Sequence, residues 1–330
     1  MATTPIPTID LAGAMEPGGP RSAEAAEQMR AAAMSSGFFY VRGHGIAPML
    51  VQRMFSTAQT FFDLPAQAKH DISLHRSPTM RGYEGLGDQR LDASAKPDLK
   101  ESFYCGIEYP DDHPYVVKGH HSYGHNQWPD DLPTMSTQCG RYIDAMLGLC
   151  QRLMQLMAIS LDLPEGYFDH THANPMATLR LLRYPPQPAQ ADEQTFGAGA
   201  HTDWGAITVL AQDHHGGLEV CMPDGSWAAA PPVAGSFVVN LGDMIPRWTN
   251  GRYHSNPHRV RNLHSGGHAR HSIPFFYSPD YEARVVPVET CIGPDAPPRF
   301  DACTVGEHLR QMYARTYEHT RGSVAGRPMA

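Results

Sequence analysis

The second half of the chain alternates short apolar runs with turn residues. From about residue 176 onward, β-branched and aromatic residues recur between turns that contain Gly, Pro and Asp. Many short strands punctuated by turns are typical of a β-sandwich or a jelly roll. The pattern predicts strands over residues 178–184, 207–212, 218–222, 237–241, 258–260 and 272–277.

The first half has the spacing of amphipathic helices. Apolar residues recur at helical intervals and would form one face of a long helix: Ile143, Met146, Leu149, Leu153 and Leu156. The same spacing predicts helices over residues 23–34 (with Ser22 as N-cap), 48–62, 138–161 and 304–319. Short strands are predicted over residues 6–11 and 37–41. Residues 66–130 are rich in Gly, Pro, His and Asp, so we expect loops around a few short elements there.

No internal repeat and no Gly/Ser linker divides the chain. We therefore expect a single domain over residues 1–330, mainly β with α-helices, whose helical part packs on a β core. The expected parts are a helix-rich segment over about 1–175, the β core with the functional site over about 176–285, a closing helix over about 304–320 and a tail over 321–330.

Composition narrows the classes of function. The 330 residues are 41% hydrophobic and 18% charged, and their net charge is −8. An acidic chain without a basic patch is a poor partner for nucleic acid or an anionic membrane. No apolar stretch reaches the roughly 18 to 20 residues that cross a bilayer, and the first residues lack the regions of a signal peptide. The six cysteines form no Cys-x-x-Cys pair and are typical of reduced thiols. These features together predict a cytoplasmic location for the protein.

One histidine–aspartate pattern has the chemistry of a metal site. His201 and Asp203 are two residues apart, so on a strand their side chains would share a face. His258 lies on a later predicted strand that the fold could bring alongside. Two imidazoles and one carboxylate form the facial triad of non-haem Fe(II) oxygenases, which leaves coordination positions open.

The pattern alone leaves alternatives open. His254, four residues before His258, is a rival ligand, and a His2Asp site could also hold zinc with a water for hydrolysis. Asp243 is expected either to form a turn or to orient the imidazoles. Other histidines are expected in solvated turns: His214, His215, His264, His268 and His271.

A second pattern provides an anchor for a carboxylate. Arg270 and Ser272 also stand two residues apart, and a guanidinium beside a hydroxyl suits bidentate capture of a carboxylate. Tyr184 could add its hydroxyl to the same group. An oxygenase that uses an oxoacid needs such an anchor, whereas a hydrolytic zinc enzyme does not. The combination therefore favours iron.

Motifs along nearly the whole chain carry a family resemblance. The most specific are Gly37-Phe38-Phe39-Tyr40-Val41, Gly199-Ala200-His201-Thr202-Asp203, Asn240-Leu241-Gly242-Asp243, Asn256-Pro257-His258-Arg259-Val260, and Arg270-x-Ser272 leading into Pro274-Phe275-Phe276. With these motifs in this order, the chain resembles the isopenicillin N synthase-like family of Fe(II)/2-oxoglutarate-dependent dioxygenases.

The resemblance implies a double-stranded β-helix (jelly-roll) core flanked by N-terminal and C-terminal helices. It also implies Fe(II) held by His201, Asp203 and His258, and 2-oxoglutarate as co-substrate with O2. The distal carboxylate of 2-oxoglutarate would be bound by Arg270 and Ser272 with help from Tyr184. The family also contains oxidases that use no 2-oxoglutarate.

We expect a small organic substrate, which is hydroxylated or desaturated while 2-oxoglutarate yields succinate and CO2. The alternatives are an iron oxidase of the same fold and a non-catalytic jelly-roll binding protein. Five residues are candidates for the substrate pocket, although each could instead be a paired charge or a core residue: Arg180, Trp204, Leu210, Phe275 and Lys100. The identity of the substrate and the oligomeric state do not follow from these patterns.

Overall fold

The computed structural model describes residues 4–91, 96–186, 196–261 and 267–321. His264 and the predicted tail beyond Arg321 lie outside the described residues. The helices are α1 (Ser22–Ser35), α2 (Pro48–Phe62), α3 (Ala66–Asp71), α4 (Pro114–Val117), α5 (Met135–Ser160), α6 (Met244–Trp248) and α7 (Val305–Arg321). None of these helices is both long and apolar enough to cross a membrane.

The strands follow the predicted runs closely in the second half of the chain. They are β1 (Thr8–Asp10), β2 (Phe38–Arg42), β3 (Gly82–Glu84), β4 (Glu101–Gly106), β5 (Met176–Tyr184), β6 (Ala198–His201), β7 (Ile207–Gln212), β8 (Leu218–Cys221), β9 (Trp227–Ala229), β10 (Phe237–Leu241), β11 (His258–Val260), β12 (Arg270–Ser278), β13 (Arg284–Val285) and β14 (Cys303–Thr304).

Two sheets face each other and form a jelly roll. Within the described residues, the larger sheet has the order β1-β2-β10-β7-β12-β5-β4-β3, and the smaller has the order β6-β11-β8-β9. A buried cluster between them joins Tyr184 and Val238 of the larger sheet to Val220 and Val260 of the smaller. The predicted double-stranded β-helix core is confirmed.

The other face of the larger sheet packs on helices. Met29 of α1, Phe61 of α2 and Leu156 of α5 share one buried cluster with Leu181 of β5 and Phe275 of β12. Side chains alternate along a strand, so successive residues of β5 and β12 enter the helix-side core or the space between the sheets. This alternation decides which side chains can reach the functional site.

The predicted apolar stripe of α5 is buried as expected. Its five residues, from Ile143 to Leu156, are at most 5% exposed. Arg152 lies among them and is also buried, at 3% exposure. Its guanidinium binds the Glu165 carboxylate and the Ala14 carbonyl, so a buried charge is compensated by partners from two other segments.

Ser22 does not cap α1 as predicted. The residue before the helix is Arg21, and no side chain caps the first turn. The Ser22 hydroxyl instead accepts a hydrogen bond from Arg152 at 2.7 Å. The cap prediction is wrong because a buried cation from α5 uses that oxygen.

The segment predicted to be mostly loops contains a full strand. β4 pairs with β5 along its whole length, from Glu101 opposite Arg183 to Gly106 opposite Thr178. Glu101 is 5% exposed, and its carboxylate lies 2.8 Å from Lys69 Nζ. The sequence does not show this strand, because the charged Glu101 stands at a buried position and its partner Lys69 is distant along the chain.

Candidate active site

Two histidines face each other across the smaller sheet. His201 ends β6 and His258 begins β11, and the antiparallel register places them directly opposite. Their ring centroids are 4.3 Å apart, and the His258 ring meets the edge of Phe38 at 5.4 Å. Pairing of two short strands therefore brings together imidazoles that are far apart in sequence.

Asp203 completes the group from just beyond the end of β6. Its Oδ1 atom lies 3.9 Å from Nε2 of His201 and 3.9 Å from Nε2 of His258. The predicted strand alternation is not what places this carboxylate, because Asp203 lies outside the strand. The turn is held instead by the Asp243 backbone N–H, which donates to the Asp203 carbonyl at 2.8 Å.

The other carboxylate oxygen of Asp203 is fully engaged. Oδ2 accepts hydrogen bonds from the Thr208 hydroxyl at 2.6 Å and from Asn240 Nδ2 at 2.7 Å. Thr208 and Asn240 are paired across β7 and β10. Two rigid strands thus fix the carboxylate and leave Oδ1 directed at the imidazoles.

Hydrogen bonding also orients one imidazole. His201 Nδ1 donates to the Gly199 carbonyl at 2.8 Å, which leaves the Nε2 lone pair free for a metal. Burial, and secondarily the neighbouring His258, lowers the pKa of His201, so that its ring stays neutral. Burial alone would raise the pKa of Asp203, but His258, His201, Asn240 and Thr208 together lower it. A neutral imidazole and an ionised carboxylate are the forms that bind a metal.

Among the described residues, the Asp243 carboxylate makes no hydrogen bond to an imidazole. This carboxylate accepts from the Thr202 hydroxyl at 3.1 Å and from the Ser255 hydroxyl at 2.7 Å. Thr202 stands between two residues of the triad, and Ser255 shortly precedes His258. Asp243 therefore ties together the two chain segments that carry the metal-binding side chains.

The rival histidines are elsewhere. Within the described residues, His201, Asp203 and His258 are the one set of three or more His, Cys, Asp or Glu residues whose ligand atoms lie close enough to share an ion, within 4.8 Å of one another. His254 is exposed, and His215 pairs with Asp213. His271, which we expected in a solvated turn, instead lies in β12 and is 7% exposed, so that prediction is wrong.

The predicted anchor residues are also together. Arg270 is 1% exposed, and its Nη1 donates to the Ser272 hydroxyl at 3.2 Å. Its guanidinium lies 4.7 Å from the centre of the Tyr184 ring, the residue opposite it on β5. The remaining described partners are neutral oxygens of Gly216 and Gln212. Among the described residues no carboxylate balances this buried cation.

Two family models match most of the chain. Residues 6–131 match the non-haem dioxygenase in morphine synthesis N-terminal model, and residues 175–279 match the model of the 2OG-Fe(II) oxygenase superfamily. The second match contains the triad, the anchor and the strands that hold them. The chain belongs to the 2OG-Fe(II) oxygenase superfamily.

Relatives of known name agree over almost the full length. The 2-oxoglutarate-Fe(II) type oxidoreductase hxnY of Emericella nidulans is 38% identical over 324 residues, which are 96% of this chain and 92% of that protein. The 2-oxoglutarate-dependent dioxygenase caaD of Aspergillus niger is 39% identical over 94% of each chain. The crystal structure of a full-length Neurospora crassa protein in complex with alpha-KG and thymine matches with a TM-score of 0.83 at 29% identity, covering 94% of this chain and 97% of that one.

Membership settles the class of reaction and the cofactors. This oxygenase is an oxidoreductase that uses Fe(II), 2-oxoglutarate and O2, as its relatives' names and the alpha-KG complexes of its structural neighbours show. The zinc hydrolase alternative is therefore excluded.

The five candidate pocket residues lie in different surroundings. Lys100, just before β4, and Arg180 of β5 are both buried. By strand alternation, Arg180 is on the same face of β5 as Leu182 and Tyr184, which pack between the two sheets. Both cations are paired, with Lys100 Nζ 2.6 Å from Asp98 and Arg180 Nη2 3.1 Å from Glu84. Leu210 is partly buried against the cluster between the sheets.

Phe275 does not belong to the pocket. It is fully buried in the cluster between the larger sheet and the helices, on the face of β12 opposite Arg270. That part of the prediction is wrong, and strand parity already contained the signal, since five residues separate Phe275 from Arg270. Trp204 follows Asp203 directly, and its carbonyl accepts from His308 of α7 at 3.1 Å; its place in the pocket stays a prediction.

Proposed function

We propose that the chain binds Fe(II) through Nε2 of His201, Oδ1 of Asp203 and Nε2 of His258, and hydroxylates a small organic substrate. The convergence of these three atoms within 4.8 Å is the observation that carries the assignment. Two imidazoles and one carboxylate suit Fe(II) and leave positions open for a co-substrate and O2. The thymine bound in the Neurospora crassa structural neighbour supports a small-molecule substrate.

The second element of the proposal is that Arg270 and Ser272 bind the distal carboxylate of 2-oxoglutarate, with the Tyr184 hydroxyl as a further donor. A buried guanidinium without a carboxylate partner among the described residues supports this role, because an unpaired buried charge is costly. An incoming carboxylate would accept charge-assisted hydrogen bonds from the Arg270 guanidinium.

Together, Fe(II) and 2-oxoglutarate supply the chemistry that activates O2 and adds one oxygen atom to the substrate, as 2-oxoglutarate becomes succinate and CO2. The residues of the chain bind, orient and exclude water. Thr208 and Asn240 hold the Asp203 carboxylate, and the Gly199 carbonyl holds the His201 ring. The apolar cluster between the sheets would help to exclude water from the site.

An anaerobic titration tests the proposal directly. Adding Fe(II) and then 2-oxoglutarate to the protein should produce the visible charge-transfer band of an iron–oxoacid complex. His201→Ala should abolish the band, whereas His254→Ala, which changes an exposed histidine nearby, should leave it intact. Iron binding without a band would contradict chelation of 2-oxoglutarate by this metal, and a band that persists in His201→Ala would overturn the ligand assignment.

We further infer that residues 1–330 act as one domain, because one buried cluster unites α1, α2 and α5 with the larger sheet. The six free cysteines support a reducing compartment such as the cytoplasm. The net charge of −8 argues against nucleic acid as a partner.

A further inference from the structure

A buried lysine beside the triad has unused hydrogen-bond donors. The side chain of Lys100 is 3% exposed, and an ammonium group has three donors. Among the described residues, its one acceptor is the Asp98 carboxylate at 2.6 Å. Two donors of a buried ammonium therefore have no acceptor in the part of the chain that the structure describes, which is unfavourable unless a ligand or water supplies one.

A second buried cation lies next to it. Arg180 stacks over the Tyr104 ring at 4.4 Å, and its Nη2 donates to Glu84, Gln89 and Ser102. Its Nε is buried and has no partner in the described part of the chain. After burial, the charge of Arg180 is the main influence that lowers the pKa of Lys100, to about 8. The Asp98 and Glu84 carboxylates pair with these two cations, but two donors of Lys100 Nζ and the Nε of Arg180 have no acceptor among the described residues.

Hydrogen bonds connect Lys100 to the metal-binding strand. Asp98 accepts from Lys100 with one oxygen and from the Gly199 backbone N–H with the other, at 3.0 Å. The Gly199 carbonyl in turn holds Nδ1 of His201 at 2.8 Å. The charge of Lys100 also contributes to the low pKa of His201. The unused donors thus lie near the metal site, separated from Arg270 by the β5 strand.

Strand parity places this group between the two sheets. Phe103 and Cys105 of β4 enter the helix-side core, so Ser102 and Tyr104 face the other way, toward the smaller sheet. Lys100 is two residues before Ser102, so in an extended chain its side chain is on the same face as that of Ser102. The same alternation sends Leu181 to the helices and directs Arg180 to the space between the sheets.

We propose that Lys100, with Arg180 beside it, binds the carboxylate of an organic-acid substrate and directs the rest of that molecule toward the iron. A carboxylate matches unpaired donors on two cations, and its charge-assisted hydrogen bonds are about twice as strong as those of a neutral carbonyl. A substrate amine or amide N–H placed against these unused donors could not accept a hydrogen bond from them. This inference rests on the proposed function, because the pocket matters only if the triad holds iron.

Matched acids and amides test the chemical class. The protein is loaded anaerobically with Fe(II) and saturating 2-oxoglutarate and titrated calorimetrically with benzoate, phenylacetate and hexanoate, each beside its carboxamide. We expect at least one acid to bind at least tenfold more tightly than its amide, and raising 2-oxoglutarate should not displace it. Equal binding of every pair, no binding of any acid, or displacement by 2-oxoglutarate would overturn the inference.

Variants then assign the effect to Lys100. Lys100→Met should lose the preference for the acid, and Lys100→Arg should retain it because it keeps the charge. Lys69→Met is the matched control, since Lys69 is a buried, ion-paired lysine bound to Glu101 and the Phe62 carbonyl. If Lys100→Met does not fold, Lys100→Gln replaces it. An acid preference that survives neutralisation of Lys100 would contradict the assignment.

The charge-transfer band, recorded on the same samples, distinguishes a failure of the proposed function from a failure of the proposed role of Lys100. Absence of the band in the unmodified protein would refute the proposed function itself. A normal band with no preference for acids would refute only the role of Lys100.

Discussion

The hydroxyl of Thr208 provides the sharpest test of how the carboxylate ligand is held. It donates to Asp203 Oδ2 at 2.6 Å, beside the second donor, Asn240, at 2.7 Å. Thr208→Val removes this donor and keeps the branched shape of the side chain in a fully paired strand. The carboxylate then keeps one donor and can rotate away from the position that directs Oδ1 at the two imidazoles.

The expected size of the effect follows from the charge on the acceptor. A hydrogen bond to a charged group contributes about 1.5–3 kcal/mol, and about 1.4 kcal/mol corresponds to a factor of ten in affinity. We therefore expect Thr208→Val to raise the Kd for Fe(II) about tenfold. Adding Asn240→Leu should bring the loss to about 100-fold, within the usual range for residues that orient metal ligands.

Anaerobic Fe(II) titration without 2-oxoglutarate measures this Kd directly. Thr178→Val is the matched control, because it makes the same change on β5 at a hydroxyl with no hydrogen bond to the described residues. Circular dichroism and the melting temperature verify that both variants fold. A Kd for Thr208→Val within twofold of the unmodified protein would show that Thr208 does not position Asp203.

Three further predictions concern the anchor and the core. Arg270→Met should weaken 2-oxoglutarate binding at least about thirtyfold, since losing one partner of a buried charge pair costs about 2 kcal/mol or more, and unchanged affinity by calorimetry would exclude the anchor role. Ser272→Ala should weaken the same binding only about fivefold, by about 1 kcal/mol; a larger loss than for Arg270→Met would reverse the assignment. Glu165→Gln should lower the free energy of unfolding by about 2 kcal/mol in urea, because Arg152 is 3% exposed and loses its charged partner. The hydrogen bond from Arg152 is the main cause that lowers the pKa of Glu165 in the folded protein. This stabilisation is therefore present above the unfolded pKa of about 4.3 and is lost as the pH falls through the folded pKa. If the free energy of unfolding of Glu165→Gln fell with decreasing pH as it does in the unmodified protein, this account would be contradicted.

Local pattern predicted most of the β core. The alternation of apolar runs and turns placed six strands of the second half within about two residues of their ends, because buried strands need a continuous or alternating apolar pattern that is visible in a single segment. The helix α5 was predictable for the same reason, since five of its residues are buried on one face. β4 was not, because its buried Glu101 is compensated by Lys69, which no local pattern reveals.

The sequence also predicted some residues of the site and missed others. Residue types and spacing identified His201, Asp203 and His258 as candidate ligands, since few combinations of side chains hold iron with open positions. The donors that fix Asp203, Thr208 and Asn240, were missed. Asn240 stood within a motif already noted, but nothing in the sequence shows that two strands place both donors on one oxygen.

The sequence by itself determined the strand pattern, the candidate metal-binding side chains and the candidate carboxylate anchor, because each depends on residue type and on spacing within one short segment. The tertiary structure decided which face of each strand meets the helices and which meets the second sheet. That choice placed Phe275 in the core on the helix side and Arg180 between the sheets, next to Lys100, whose charge acts on His201 of the triad. It depends on how distant strands pair, and side-chain alternation alone gives two faces without stating which one encloses the site.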